Sequence, residues 1–180
     1  MSETTPAPVL VIDLQTGMFD GVFEAPISGA ERLVDRVRRV TAWARQGGRK
    51  VAFVRHDGGE GDPLAPGKPG WPVWPALGQA EDEPTFSKSV GDSFSQPALC
   101  DWIEGLGADG VILMGAQTDQ CVAATLKGAL ARGLKVTVVG DGHGTWDYNG
   151  ETADEIINRH NRDFAEAGAR VVTAAELTGG

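Results

Sequence analysis

Asp13, Lys88 and Cys121 are the residues of this sequence whose types could together run acyl-transfer chemistry. A thiol attacks a carbonyl only once its proton has gone. A nearby ammonium favours the thiolate, and a carboxylate within reach can take the proton and later hand it to a departing amine. Cys121 lies in LMGAQTDQCVAATL (113–126), where the polar run Gln117, Thr118, Asp119 and Gln120 separates an apolar run from an Ala-rich segment. One reading is a strand-to-helix turn whose cysteine faces the core, the usual place for an isolated thiol. The other is a nucleophile at a helix N-terminus, where the dipole adds to the pull of a cation. Taken singly, Asp13 reads equally as a cap or a solvated strand end, and Lys88 as a surface lysine.

The elements that must position these residues follow from hydrophobic period and turn chemistry. VLVID (9–13), KVAFVRH (50–56), GVILMGA (110–116) and KVTVVGD (135–141) are short apolar runs expected to form strands buried on both faces. TFSKS (85–89) and RVVTA (170–174) are shorter strand candidates. Helices are expected at 29–46, where Leu33, Val37, Val40 and Ala44 share a face, at 96–105, at 119–132 with Thr118 as its cap and Gly133 as its stop, and at 150–167. Residues 57–84 form a long Gly-, Pro- and Trp-rich loop, and loops of this length in a compact domain are usually functional. Strands alternating with helices predict an α/β fold, a three-layer α-β-α sandwich around a mostly parallel six-stranded sheet in the order 3-2-1-4-5-6. Ligands of such sheets bind beyond the carboxyl ends of the strands at the switch point, and that edge is where Asp13, Lys88 and Cys121 would meet.

The motifs VIDLQTGMF (11–19), KSVGDSF (88–94), GAQTDQCV (115–122) and DGHGTWD (141–147), with a weaker match over 157–177, resemble the isochorismatase-like cysteine hydrolases. Nicotinamidases, carbamoylsarcosine amidases and streptothricin hydrolases belong to that family. The motifs occur in the family's order and span nearly the whole chain. The resemblance implies a Rossmann-like isochorismatase fold and a Cys-Lys-Asp triad of Cys121, Lys88 and Asp13. It also implies a cis peptide at Ala116–Gln117 and an oxyanion hole formed by the backbone amides of Gln117 and Cys121. The expected activity is cleavage of a C–N bond in a small amide, lactam or imide through a thioester on Cys121, with streptothricin-hydrolase-like chemistry as the nearest subfamily. A homo-oligomer, dimer or larger, is expected as well.

The rest of the pocket is read from residue type and place. Phe19, Phe23, Trp71, Trp74 and Trp146 lie in loops and are candidates for a pocket wall, with an oligomer interface as the competing role of the tryptophans. His56 and Gln120 are further substrate-binding candidates. His143 is expected to fix a turn near the site, and neither His160 nor the mid-helix Cys100 is assigned a function. Nicotinamidases bind a metal through an Asp and closely spaced histidines after the second strand. Here that stretch offers one histidine, His56, beside Asp57 and Asp62, so no metal and no cofactor is expected.

A formal net charge of −9, from 16 basic and 25 acidic residues in 180, argues against a nucleic-acid or anionic-membrane partner and leaves a small molecule. Residues 1–8 are expected to form a disordered tail rather than a secretion signal, with a single domain over 9–180. Two cysteines make no disulfide framework, so a cytoplasmic setting is the default. DLQTGMFDG after the first strand is no dinucleotide fingerprint, and GDGHG lacks phosphate-loop spacing. Two alternatives stay open: vinyl ether hydrolysis of the isochorismatase type, which needs the acid but no thiol, and a non-catalytic member of the family that binds a small molecule.

Overall fold

The computed structural model describes residues 5–180. Its elements are β1 (Val9–Ile12), α1 (Ala30–Gln46), β2 (Val51–His56), β3 (Thr85–Lys88), α2 (Pro97–Leu106), β4 (Gly110–Ala116), α3 (Ala123–Ala131), β5 (Lys135–Gly144), α4 (Ala153–Glu166), β6 (Arg170–Val172) and α5 (Ala174–Thr178). The strands form one sheet in the order β3-β2-β1-β4-β5-β6, and every pairing is parallel. The sheet is therefore wholly rather than mostly parallel. No helix among the described residues is long and apolar enough to cross a membrane.

Alternation along the central strands builds two cores. Val9 and Val11 point into a cluster with Leu33, Val37 and Val40 of α1 and Ala174 of α5. Leu10 and Ile12 point the other way, against Leu99 and Ile103 of α2, Leu126 of α3 and Phe164 of α4. Both faces are dry, which is why these strands read as continuous apolar runs rather than alternating ones. β1 and β4 approach so closely that a Cβ on Gly115 (φ +130°) would collide with the backbone oxygen and nitrogen of Ile12. Only glycine fits there.

Several boundaries differ from the sequence reading. Of the expected tail, residues 1–4 lie outside the described residues; Ala7 packs against the core, and the Pro8 carbonyl accepts from the Ile112 amide at 2.9 Å, so ordered chain begins before residue 9. β5 continues to Gly144 instead of ending at Asp141, through an irregularity in which Leu113 to Gly115 on β4 face Val138 to His143 on β5. The last helix but one starts at Ala153, because Thr152 and Glu155 form a capping box there. β6 stops at Val172, and a second capping box, Thr173 with Glu176, starts the unforeseen α5. Thr118 caps nothing. Residues Thr118–Val122 form one turn of π-helix ahead of α3, with Gln117 in the cap position and no side-chain cap bond.

Candidate active site

β1 ends where Asp13 takes a left-handed conformation (φ 52°), a strained turn that Asp tolerates better than most residues. β3 ends in Lys88, which pairs in register with His56 at the end of β2. The π turn after β4 carries Cys121. These ends meet. The Lys88 ammonium donates to Asp13 Oδ2 at 2.7 Å and to Cys121 Sγ at 3.2 Å, and reaches His56 Nδ1 at 3.5 Å. An ammonium has three donors and no acceptor capacity. Its three N–H groups thus point at three different residues, and a neutral His56 carries its proton on Nε2.

Lys88 and Asp13 are each 1% exposed, so the surface-lysine reading is wrong. Burial lifts the Asp13 carboxyl above the ordinary carboxylate range, against the pull of Lys88. Its second oxygen, Oδ1, is buried with no hydrogen-bond partner. A buried carboxylate with one free oxygen and raised basicity is a proton acceptor waiting for a donor. The Cys121 thiol is pushed up to about 12 by burial first and by the negative charge of Asp13 second, and Lys88 only partly offsets both. This corrects the expectation of a thiolate poised by cation and helix dipole. Cys121 lies in the π turn ahead of α3 rather than at an α-helical N-terminus, and its thiol holds its proton beside the Asp13 carboxyl.

The turn that holds Cys121 is fixed from below. Thr118 Oγ1 lies 2.9 Å from His143 Nδ1, His143 Nε2 lies 2.9 Å from Asn161 Oδ1, and Asn161 Nδ2 donates to the Gly140 carbonyl at 2.9 Å. That last bond sets the amide orientation, so His143 Nε2 donates to Asn161 and Nδ1 accepts from Thr118. The imidazole is fully enclosed, which pushes its pKa down to about 4 and keeps it neutral. Thr145, also buried, donates to Asp119 at 2.9 Å from the other side. Gln15, wholly buried, bonds the backbone of His56 in both directions and the Trp71 carbonyl, tying the 57–84 loop to β2. His143 has the turn-fixing place expected of it. Gln15, Thr145 and Asn161 went unread and Thr118 was read only as a cap, because each acts through a bond to a residue remote in sequence.

A cavity of about 800 Å³ opens over Cys121. Asp13, His56, Gln117, Gln120 and Cys121 line it, together with Glu24, Asp62, Asp119 and Lys127. The Ala116–Gln117 peptide is cis, and the Gln117 N–H donates to no acceptor among the described residues. The expected aromatic wall is not part of the lining. Phe19 is buried and stacks on Trp74 at 5.4 Å as part of the core. Trp71 is held by Asp57 through its N–H and covered by the Arg55 guanidinium at 3.5 Å. Trp146 donates to the Ala25 carbonyl, and Phe23 is 56% exposed. Phe19, Trp71, Trp74 and Trp146 shape the loops around the cavity, because each has a packing or polar partner that turns it away, whereas Phe23 stands in solvent.

Asp13, His56 and Cys121 each offer a ligand atom, all within 4.8 Å of one another. The set does not fit a cation. The ammonium of Lys88 already contacts the same three groups, and a metal would have to share that space with a buried positive charge.

The isochorismatase domain model matches residues 7–176. The chain belongs to the isochorismatase family. Among curated proteins, this isochorismatase-family chain is 32% identical over 139 residues to a streptothricin hydrolase of Streptomyces noursei, a match covering 77% of the chain and 50% of the relative. The chain thus spans about half the length of the curated relatives it matches. Among solved structures it superposes on a chain of the isochorismatase hydrolase kind from Oleispira antarctica with a TM-score of 0.91, 26% identity and full coverage of both. A cysteine hydrolase from Pseudomonas syringae pv. phaseolicola gives a TM-score of 0.89 over 99% of this chain and 97% of its own, and at 20% identity speaks to the fold alone.

Proposed function

We propose that this protein is a metal-independent cysteine hydrolase that cleaves a C–N bond of a small amide, lactam or imide through a Cys121 thioester. One observation carries the reading: a buried Asp13–Lys88 pair touches the only cysteine of the cavity, with one carboxylate oxygen unpartnered. In the reaction, Asp13 Oδ1 takes the Cys121 proton as Sγ attacks the carbonyl carbon, and Lys88 stabilises the negative charge on sulfur. The oxyanion is received by backbone N–H groups, for which the unpaired Gln117 amide and that of Cys121 are the candidates. Asp13 then gives its proton to the departing nitrogen, and the C–N bond breaks to leave the acyl group on Cys121. Water enters, loses a proton to Asp13 and attacks the thioester. The acid leaves, and the proton on Asp13 returns to Sγ.

A thiol held at about 12 suits this scheme. Little thiolate exists at rest, so proton transfer and attack have to be coupled, and Asp13 is placed for it. A thiol has no part in vinyl ether hydrolysis, so the contact between Lys88 and Cys121 favours the amide reading. The streptothricin hydrolase relative makes streptothricin the first substrate to try, followed by a panel of small amides, lactams and imides. Hydrolysis should vanish in Cys121→Ala, and the intact enzyme should accumulate a hydroxylamine-sensitive acyl adduct on Cys121 by mass spectrometry. Full hydrolysis by Cys121→Ala would overturn the proposal. Saturable binding of a panel member without turnover, unchanged in Cys121→Ser, would instead favour the non-catalytic binding member.

A further inference from the structure

The charges around the cavity are unequal, and the catalytic groups do not explain the imbalance. Asp13 and Lys88 neutralise each other as an ion pair at 2.7 Å. Of the remaining lining residues, Glu24, Asp62 and Asp119 are acidic and Lys127 is basic. The three carboxylates come from three separate segments: the loop after β1, the long loop after β2, and the π turn. Their meeting is a product of the fold and not of a charge run in the sequence.

Nor are they used up by the protein. Glu24 makes no side-chain hydrogen bond or ion pair among the described residues. Asp62 caps the Leu64 amide through Oδ1 alone, and Asp119 accepts from Thr145 through Oδ1 alone, so each keeps Oδ2 for the cavity. Lys127 pairs with no carboxylate among the described residues. Arg159 of α4 feels the charge of Asp119 but is held by Glu151 at 2.9 Å. Glu24, Asp62 and Asp119 against Lys127 leave the lining with an excess of two acidic side chains beside a nucleophile.

We propose that this cavity selects a positively charged substrate, an amide, lactam or imide that bears an amine or guanidine group within a few bonds of the reacting carbonyl. The inference rests on the hydrolase reading of the site, since it names the class of molecule that Cys121 attacks. The carboxylates hold the cationic arm at the rim, and the carbonyl then points inward to Cys121. Anionic amides are turned away by the same field.

The charge preference can be read without a known substrate. In a Cys100→Ser background Cys121 is the sole thiol, since Cys100 is the only other cysteine. Its modification by the cationic trimethylammonioethyl and the anionic sulfonatoethyl methanethiosulfonates is timed, and each rate is divided by that of a simple thiol. For two net charges roughly 6 Å from the centre of the cavity, partly screened by salt, the cationic reagent should be preferred about tenfold. The ratio should shrink toward one in Glu24→Gln/Asp62→Asn, rise in Lys127→Met, and fall with ionic strength. The double variant still leaves the protein strongly acidic, its formal net charge of −9 shrinking by only two units, so collapse of the ratio to one assigns the effect to the cavity. A ratio at or below one, or one the double variant leaves untouched, overturns the proposal.

Should the thiol resist both reagents, calorimetric titration with lysinamide and with succinamate, a cationic and an anionic amide, gives the same decision. Tighter lysinamide binding that is lost in the double variant supports the proposal, and equal or reversed affinities refute it. These readouts are separable from the fate of the hydrolase reading. Reaction at Cys121 without charge preference removes only the present inference. Charge preference in a protein whose Cys121→Ala variant still hydrolyses substrate removes only the mechanism.

Discussion

His143 supplies a prediction whose size follows from its surroundings. In the folded protein its pKa is held down to about 4, because the ring is enclosed, and the bond it donates to Asn161 only partly opposes that effect. In the unfolded chain it titrates near the ordinary value of about 6.5. Between those two values the unfolded chain binds a proton that the folded one refuses, so stability falls as pH drops through this window and the loss is complete below about pH 4. The full separation of roughly 2.5 units corresponds to about 3 kcal/mol, and the part spent between pH 7 and pH 5 is about 2 kcal/mol. Urea unfolding followed by tryptophan fluorescence at pH 7, 6 and 5 measures this directly. With a slope of about 2 kcal/mol per molar, the wild-type midpoint should fall by about 1 M more than that of His143→Gln over the same interval. The comparison cancels the carboxylates and His160, which both proteins share. The baseline stability of the variant is immaterial, since only the pH slope is read. Parallel pH dependences in the two proteins would refute the account of a buried neutral histidine beneath the Cys121 turn.

Further outcomes follow from the site and the sheet. Alkylation of Cys121 by iodoacetamide should rise about tenfold per pH unit from pH 7 to 10 without a plateau, because the thiol titrates near 12; a plateau below pH 8, read by peptide mass mapping, would show an activated thiolate instead. Asp13→Asn should raise that alkylation rate at fixed pH, since it removes a charge that opposes the thiolate, while abolishing hydrolysis for want of a base. Lys88→Met should cost about 3–5 kcal/mol in urea unfolding, because it strands a buried carboxylate; a cost under 1 kcal/mol would mean that the carboxyl is neutral in the resting protein. Gly115→Ala should yield no folded protein by circular dichroism, since its methyl would meet the Ile12 backbone.

Legibility varied with the range of the physics. β1 and β4 were plain, since strands buried on both faces must be apolar throughout, and VLVI and GVILMGA are. The parallel order followed from alternation of elements, and the order placed Asp13, Lys88 and Cys121 on one edge. The motif resemblance then gave the three a common purpose. What the sequence did not disclose is what depends on three-dimensional surroundings. The basicity of Cys121 is set by burial and by Asp13, more than 100 positions away. The π turn has no composition of its own, and Thr118 looked like a cap because its hydroxyl partner, His143, is supplied by another strand. Loop aromatics read as pocket walls because a sequence cannot show that Phe19 has Trp74 to stack on, or that Arg55 covers Trp71. The charged lining escaped for the same reason: Glu24, Asp62 and Asp119 stand far apart in the chain.

Lys88 ends the outermost strand on its side of the sheet, four residues long, joined only to β2, with one side chain fully buried. That side chain is the ammonium on which Asp13, His56 and Cys121 all converge. The margin of the sheet most prone to fray therefore doubles as the keystone of the site. Warming or mild denaturant should disarm the protein by lifting this one strand while the two cores stay closed. Activity would disappear at a lower temperature than the fold, and return on cooling without any need to refold the chain.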